Sequence, residues 1–179
     1  MMTDDTEGHS ARAARWLADA LESGDPLAPL PDGIAPRDRE EAAAAAVATL
    51  ETLGITPCGL RLLRWDATAL AGPMIEGRLL RSPSPVARDA LRPPLVSAGA
   101  IGVLAAPLRP GDTTPPEFER IHPALDISAT RFTQPPEDAL ALTADLARLG
   151  LVVAGKGKAL APGPLRVSLG PKGARARGV

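Results

Sequence analysis

The chain has 179 residues, and its 20 Lys and Arg against 21 Asp and Glu give a formal net charge of −1, so no overall pull toward nucleic acid or an anionic surface follows. A length of this order suits one domain that buries about two-thirds of its unfolded surface. Hydrophobic residues make up 45%, but two Trp, two Phe and no Tyr leave a core of Leu, Ala, Val and Ile and argue against a base-stacking surface.

Residues 1–10 read as a disordered, acidic N-terminus, without the pattern of a signal or transit peptide. Ser10 is placed to cap a first helix with apolar residues at Ala13, Trp16, Leu17, Ala20 and Leu21, and Gly24 to end it. Pro26 to Pro36 reads as an extended connection. A second helix is predicted from about Arg37, with Glu40 and Glu41 favoured in its first turn and Gly54 as its stop. Cys58 to Arg64 reads as a short strand carrying Arg61 and Arg64. Ser82 to Pro94 reads as a loop, and Leu95 to Leu104, small and apolar, as a buried strand. His122 to Ile127 is a further strand, and a third helix is predicted from Pro136 through Leu140, Ala144 and Ala147 to Gly150. Leu151 to Ala154 and Leu165 to Leu169 complete the strands. The order gives an α+β domain over residues 11–173 with a basic tail at 174–179.

No Asp or Glu follows Asp145, whereas Arg148, Lys156, Lys158, Arg166, Lys172, Arg175 and Arg177 do; the run is sparse and reads as a solvated tail or subunit contact. Cys58, a lone cysteine, forms no intrachain disulfide and reads as a small buried residue. No apolar run approaches the roughly 20 residues of a membrane helix. A cytoplasmic protein without membrane or nucleic-acid partners is expected.

Familiar catalytic signatures are missing. Gly155-Lys156-Gly157-Lys158 lacks the spacing and hydroxyl of a P-loop and reads as a basic turn between strands. His9 and His122 belong to no His/Cys cluster of the kind zinc needs. One constellation remains. Ile121 to Phe132 sets Asp126 inside an apolar strand, where a carboxylate is costly unless paired, hydrogen-bonded or bound to a cation. A salt bridge to Arg131 or another arginine and a bound cation both satisfy that demand.

At Pro123-Ala124-Leu125-Asp126-Ile127, with Arg131-Phe132 after it, the chain resembles the 2-keto-4-pentenoate hydratase family of the fumarylacetoacetate hydrolase superfamily, which carries Pro-Ala-(Leu/Ile)-Glu-Ile and then Arg-(Phe/Ile). Other segments agree in order: Gly24-Asp25-Pro26-Leu27-Ala28-Pro29-Leu30 with the connection after its opening helix, Gly54 to Leu63 with its Gly-x-Lys segment, and Gly72-Pro73-Met74 with its Gly-Pro-(Leu/Met). Val96 to Leu104 is similar to its Val-Glu-x-Glu strand, Ala144-Asp145 to its Ala-Asp-Asn, Val152 to Gly155 to its Val-Leu-Gly, and Val167 to Gly173 to a later strand pair. The resemblance implies N-terminal helices packed on a mixed β-sheet roll like that of fumarylacetoacetate hydrolase, here ending early at the C-terminus.

In that family three carboxylates hold a divalent ion, usually magnesium, that stabilises an enolate-like intermediate of a 2-keto or 2-hydroxydienoate acid. Here the Glu-x-Glu positions fall on Ser97 and Gly99, and the third on Asp126, which leaves a vestigial metal site. The family lysine falls on Arg61, which does not release a proton, and the Asn after Ala-Asp on Leu146. The resemblance therefore implies a catalytically impaired pseudoenzyme with no resident cofactor. It would act as a homo-oligomer or as partner to a related hydratase or decarboxylase subunit. The alternatives are an active hydratase- or decarboxylase-type lyase using Asp126 as acid or base, and a small carboxylic-acid binding module; both would use Arg61 and Arg131 for the substrate carboxylate.

Overall fold

The computed structural model describes residues 8–87, 91, 94–109 and 111–159. The expected strand at Leu165 to Leu169, the matched segment Val167 to Gly173 and the basic residues from Arg166 onward lie outside the described residues.

Helix α1 runs His9–Ser23 and α2 runs Arg39–Thr52. They pack through Ala13, Ala14, Ala42 and Ala45, whose small side chains let the backbones approach and are almost wholly buried. α1 starts earlier than its sequence suggests: Gly8 is its N-cap, so His9 and Ser10 are helical rather than disordered. The Ser10 hydroxyl is no cap and donates across to the Glu41 carbonyl at 3.2 Å. Gly24 does end the helix, with φ at 75° and its N–H on the Ala20 carbonyl. Asp38 caps α2 by accepting the Glu41 N–H at 2.8 Å, and the Glu41 carboxylate takes the Arg37 N–H at 2.9 Å. The proline-rich connection is pinned beyond the sheet by Leu27, whose N–H donates to the Arg131 carbonyl at 2.8 Å and whose carbonyl accepts from Thr133 at 2.7 Å.

Seven strands follow among the described residues. β1 (Pro57–Trp65) and β2 (Thr68–Ile75) form a hairpin across Asp66-Ala67, with Asp66 at φ 49°. After a 3₁₀ turn at Glu76–Arg78 come β3 (Leu79–Arg81), β4 (Leu95–Leu104), β5 (Phe118–Ser128), β6 (Leu151–Ala154) and β7 (Lys158–Ala159). The larger sheet has the order β3-β6-β5-β4, with β7 also on β5. β3 is parallel to β6 and the other pairs are antiparallel, so the sheet is mixed. β6 and β7 share one edge of β5, and Pro123, which has no N–H to offer, sits where one gives way to the other; its carbonyl accepts from Gly155 at 2.7 Å. Residues 155–157 join those two strands; Lys158, expected in the turn, opens the unexpected strand β7. Ala46 and Leu50 of α2, Ile75 of β2, Ala124 of β5 and Val152 of β6 share one core, so the helices pack on strands of both sheets. The fold is α+β, with N-terminal helices on a mixed sheet.

Three expectations are corrected. β4 is a strand but not a buried one: among the described residues it is an edge strand, and its Leu95 and Val96 are 53% and 61% exposed. A small apolar run does not by itself distinguish a covered strand from an uncovered one. β2 and β3 were missed, since Gly72-Pro73 breaks the alternation in β2 and β3 has three residues. The third helix spans only Ala139–Ala144, is capped by Asp138 rather than begun by Pro136, and stops short of Ala147. It stops because Leu146, Ala147 and Arg148 all take left-handed backbone, with φ at 53°, 49° and 60°. Such a conformation costs an L-residue about 1–2 kcal/mol, so surrounding contacts must hold the turn.

Candidate functional site

Arg61 lies on β1 opposite Gly72 of β2 and is buried. Gly72 is required there by close approach: a Cβ added to it would lie 2.8 Å from the Leu146 backbone and from the Ala147 side chain. The hairpin thus lies against the left-handed turn, and Arg61 reaches over to β5. Its Nε donates to Asp126 Oδ2 at 2.7 Å and its Nη2 to Asp126 Oδ1 at 2.7 Å, a two-pronged pair of the geometry that suits guanidinium and carboxylate. Nη2 also donates to Ser128 Oγ at 2.7 Å, and Nη1 to the carbonyl of Ala147. Ser128 in turn donates to Asp126 Oδ1 at 3.1 Å. One side chain therefore joins both sheets and the turn.

The demand that Asp126 poses in the sequence is met by an ion pair, and the partner is Arg61, not Arg131. Arg131 engages Asp145 through Nε, and its remaining nitrogens donate to the carbonyls of Leu149 and Asp145. Thr130 Oγ1 donates to Asp145 Oδ2 at 2.7 Å, and the Arg131 N–H to the same oxygen at 3.2 Å. Burial pushes the Asp145 carboxyl up, while the Arg131 charge and these hydrogen bonds pull it down. Arg148 is buried as well, with its guanidinium 5.2 Å from the centre of the Trp65 ring. Burial pushes its pKa down, Asp145 pushes it up, and Arg61 and Arg131 add to the lowering.

Ser97 stands opposite Asp126 across the β4–β5 pair, and Gly99 stands two residues along, on the same face. Ser97 is exposed, and the space where a side chain on Gly99 would begin is open. Magnesium does not fit these residues. Hard cations need several oxygen ligands, but both Asp126 oxygens are held by a guanidinium, and no group of three or more His, Cys, Asp or Glu that could hold a metal occurs among the described residues.

Cys58 is exposed, contrary to expectation, because β1 shows its first residues to solvent. His122 has a structural contact, Nδ1 lying 3.0 Å from the Gly155 carbonyl. Ser128 went unread in the sequence although strand alternation puts it on the Asp126 face. Arg148, expected in a solvated basic run, is instead buried by the left-handed turn, and the Ala147 carbonyl and the half-buried Arg78 had no sequence signal, since the first depends on that turn and Arg78 on tertiary packing.

No family model and no curated protein sequence matches the chain. Among solved structures it is similar to 4-oxalocrotonate decarboxylase from Pseudomonas putida G7. The form complexed with magnesium and adipate superposes with a TM-score of 0.70 at 16% identity, over 85% of this chain and 65% of that one. The form complexed with calcium and acetate gives 0.68 at 16% identity, over 87% and 63%. The chain thus spans a little under two-thirds of the length of these neighbours. At this identity the likeness is one of fold alone.

Proposed function

We propose that this chain is a non-catalytic relative of the metal-dependent hydratases and decarboxylases, acting as a partner subunit rather than through magnesium-dependent turnover. The observation that carries this reading is the Arg61–Asp126 pair. A carboxylate that would otherwise face a cation is held by a cation of the protein itself, and Ser97 and Gly99 opposite and beside it bring no charge. Two of the three carboxylates the resemblance calls for are gone, and the third is engaged.

The exposed edge supports the second half of the proposal. Among the described residues β4 pairs on one side only, with β5. Its ten residues carry no charge, and Leu95, Val96, Val103 and Leu104 are all exposed. A long, uncharged, apolar edge of this kind is a template for another chain. A related hydratase or decarboxylase subunit is the partner proposed for that edge.

The test has two arms. Manganese titration with turnover assays on a 2-hydroxydienoate acid should show neither saturable metal binding nor product. Co-expression with an intact hydratase or decarboxylase should give a heteromer on size exclusion, weakened by Val96→Lys on β4. Turnover that disappears in Asp126→Ala would overturn the non-catalytic half, and a monomer indifferent to the co-expressed subunit would overturn the partner half.

A further inference from the structure

Arg78 closes the 3₁₀ turn after β2 and is half-buried. Among the described residues its guanidinium has neither a hydrogen-bond acceptor nor a carboxylate partner. Burial lowers its pKa first, and Arg131 lowers it further. The two arginines line one cavity of about 160 Å³ at the C-terminal end of α1, together with Thr130, Leu91, Gly24 and the exposed Asp25. Arg131 commits one N–H from each of its three nitrogens to Asp145 and Leu149, which leaves two of a guanidinium's five N–H groups. Among the described residues, Arg61, Arg78, Arg131 and Arg148 are all buried or partly buried, while only Asp126 and Asp145 are carboxylates in ion pairs with them.

A partly desolvated guanidinium without an acceptor is costly, and a second guanidinium beside it raises the cost. We infer that the Arg78–Arg131 cavity binds a small oxyanion, a carboxylate or a phosphate, with Arg78 supplying the main charge-assisted hydrogen bonds. The planar fork of a guanidinium matches both groups. The volume limits the ligand to a few heavy atoms, since cavities for larger ligands run to about 300 Å³ and above. This inference is independent of the partner-subunit reading, because it uses neither Asp126 nor the β4 edge.

The protein is titrated with inorganic phosphate and, separately, with acetate, at constant ionic strength held by sodium chloride. Binding is followed by calorimetry and by the rise in thermal midpoint. Saturable binding of one or both anions is expected, and the tighter one names the ligand type. Arg78→Gln should weaken it about tenfold or more. Arg120→Gln, at an arginine whose side chain is 55% exposed, should bind like wild type. If Arg78→Gln does not fold, Arg78→Lys carries the test and should weaken binding severalfold, since it keeps the charge and loses the fork. No saturable binding, or equal loss in Arg78→Gln and Arg120→Gln, would overturn the inference.

Discussion

Arg61→Met removes one partner of a pair in which the Arg61 and Asp126 side chains are only 3% and 15% exposed, so solvent screens it little. Leaving the carboxylate alone among buried neighbours costs about 3–5 kcal/mol, and the Ala147 carbonyl and Ser128 hydroxyl lose a donor at the same time. Asp126→Leu strands the guanidinium at a similar cost. The double variant removes both charges and retains mainly the unmet hydrogen bonds, about 1–3 kcal/mol. A double-mutant cycle in urea should therefore give a coupling of about 3 kcal/mol or more, with m unchanged across the series. In a chain of this size each single change should lower the thermal midpoint by about 6–20 °C. A coupling under about 0.5 kcal/mol would mean the pair behaves like a surface contact, and the account of Arg61 as the group that neutralises Asp126 would fail.

Gly72→Ala should destabilise by about 1–3 kcal/mol, because the new Cβ meets Leu146 backbone that cannot swing aside; a midpoint within error of wild type would contradict that close approach. Carbon-13 titration should find the Glu41 carboxyl at about 2 rather than 4.5, held down by its hydrogen bond to Arg37, and Arg37→Gln should return it toward the ordinary range. Since that pKa is depressed on folding, the stability it contributes is present above about 4.5 and is lost as pH falls through about 2; a loss on raising the pH would have the wrong sign. Combining Ser97→Glu, Gly99→Glu and Arg61→Lys should create manganese binding visible by electron paramagnetic resonance, as strand register aims all three carboxylates at one face. Absence of binding in the folded triple variant would count against the correspondence of these positions.

The helices were legible where the chain states its own ends: Gly24 supplies a left-handed stop, and the alanines of α2 leave little alternative to helix. The third helix was not, because Leu146 to Arg148 have ordinary helix propensity and only their packing against Gly72 and Ala129 explains their inverted backbone. The site divides in the same way. Asp126 announced itself as a carboxylate in an apolar strand, and Arg61 as a charge in another. Their meeting, 65 residues apart, is tertiary and could not be read from either strand. The pairing of Arg131 with Asp145 was not legible, because Asp145 caps the end of a helix that the sequence pattern carries on to Gly150.

The two sheets share no strand pairing among the described residues. The β1–β2 hairpin is closed by its own ladder and leans on the rest of the molecule through side chains and the Leu146–Arg148 turn. It is thus suited to open as a cooperative unit while the larger sheet stays intact, with Arg61 as the clasp that holds it shut. Amide hydrogens of the hairpin then exchange through whole-molecule unfolding as long as the clasp is made, and through local opening once it is released.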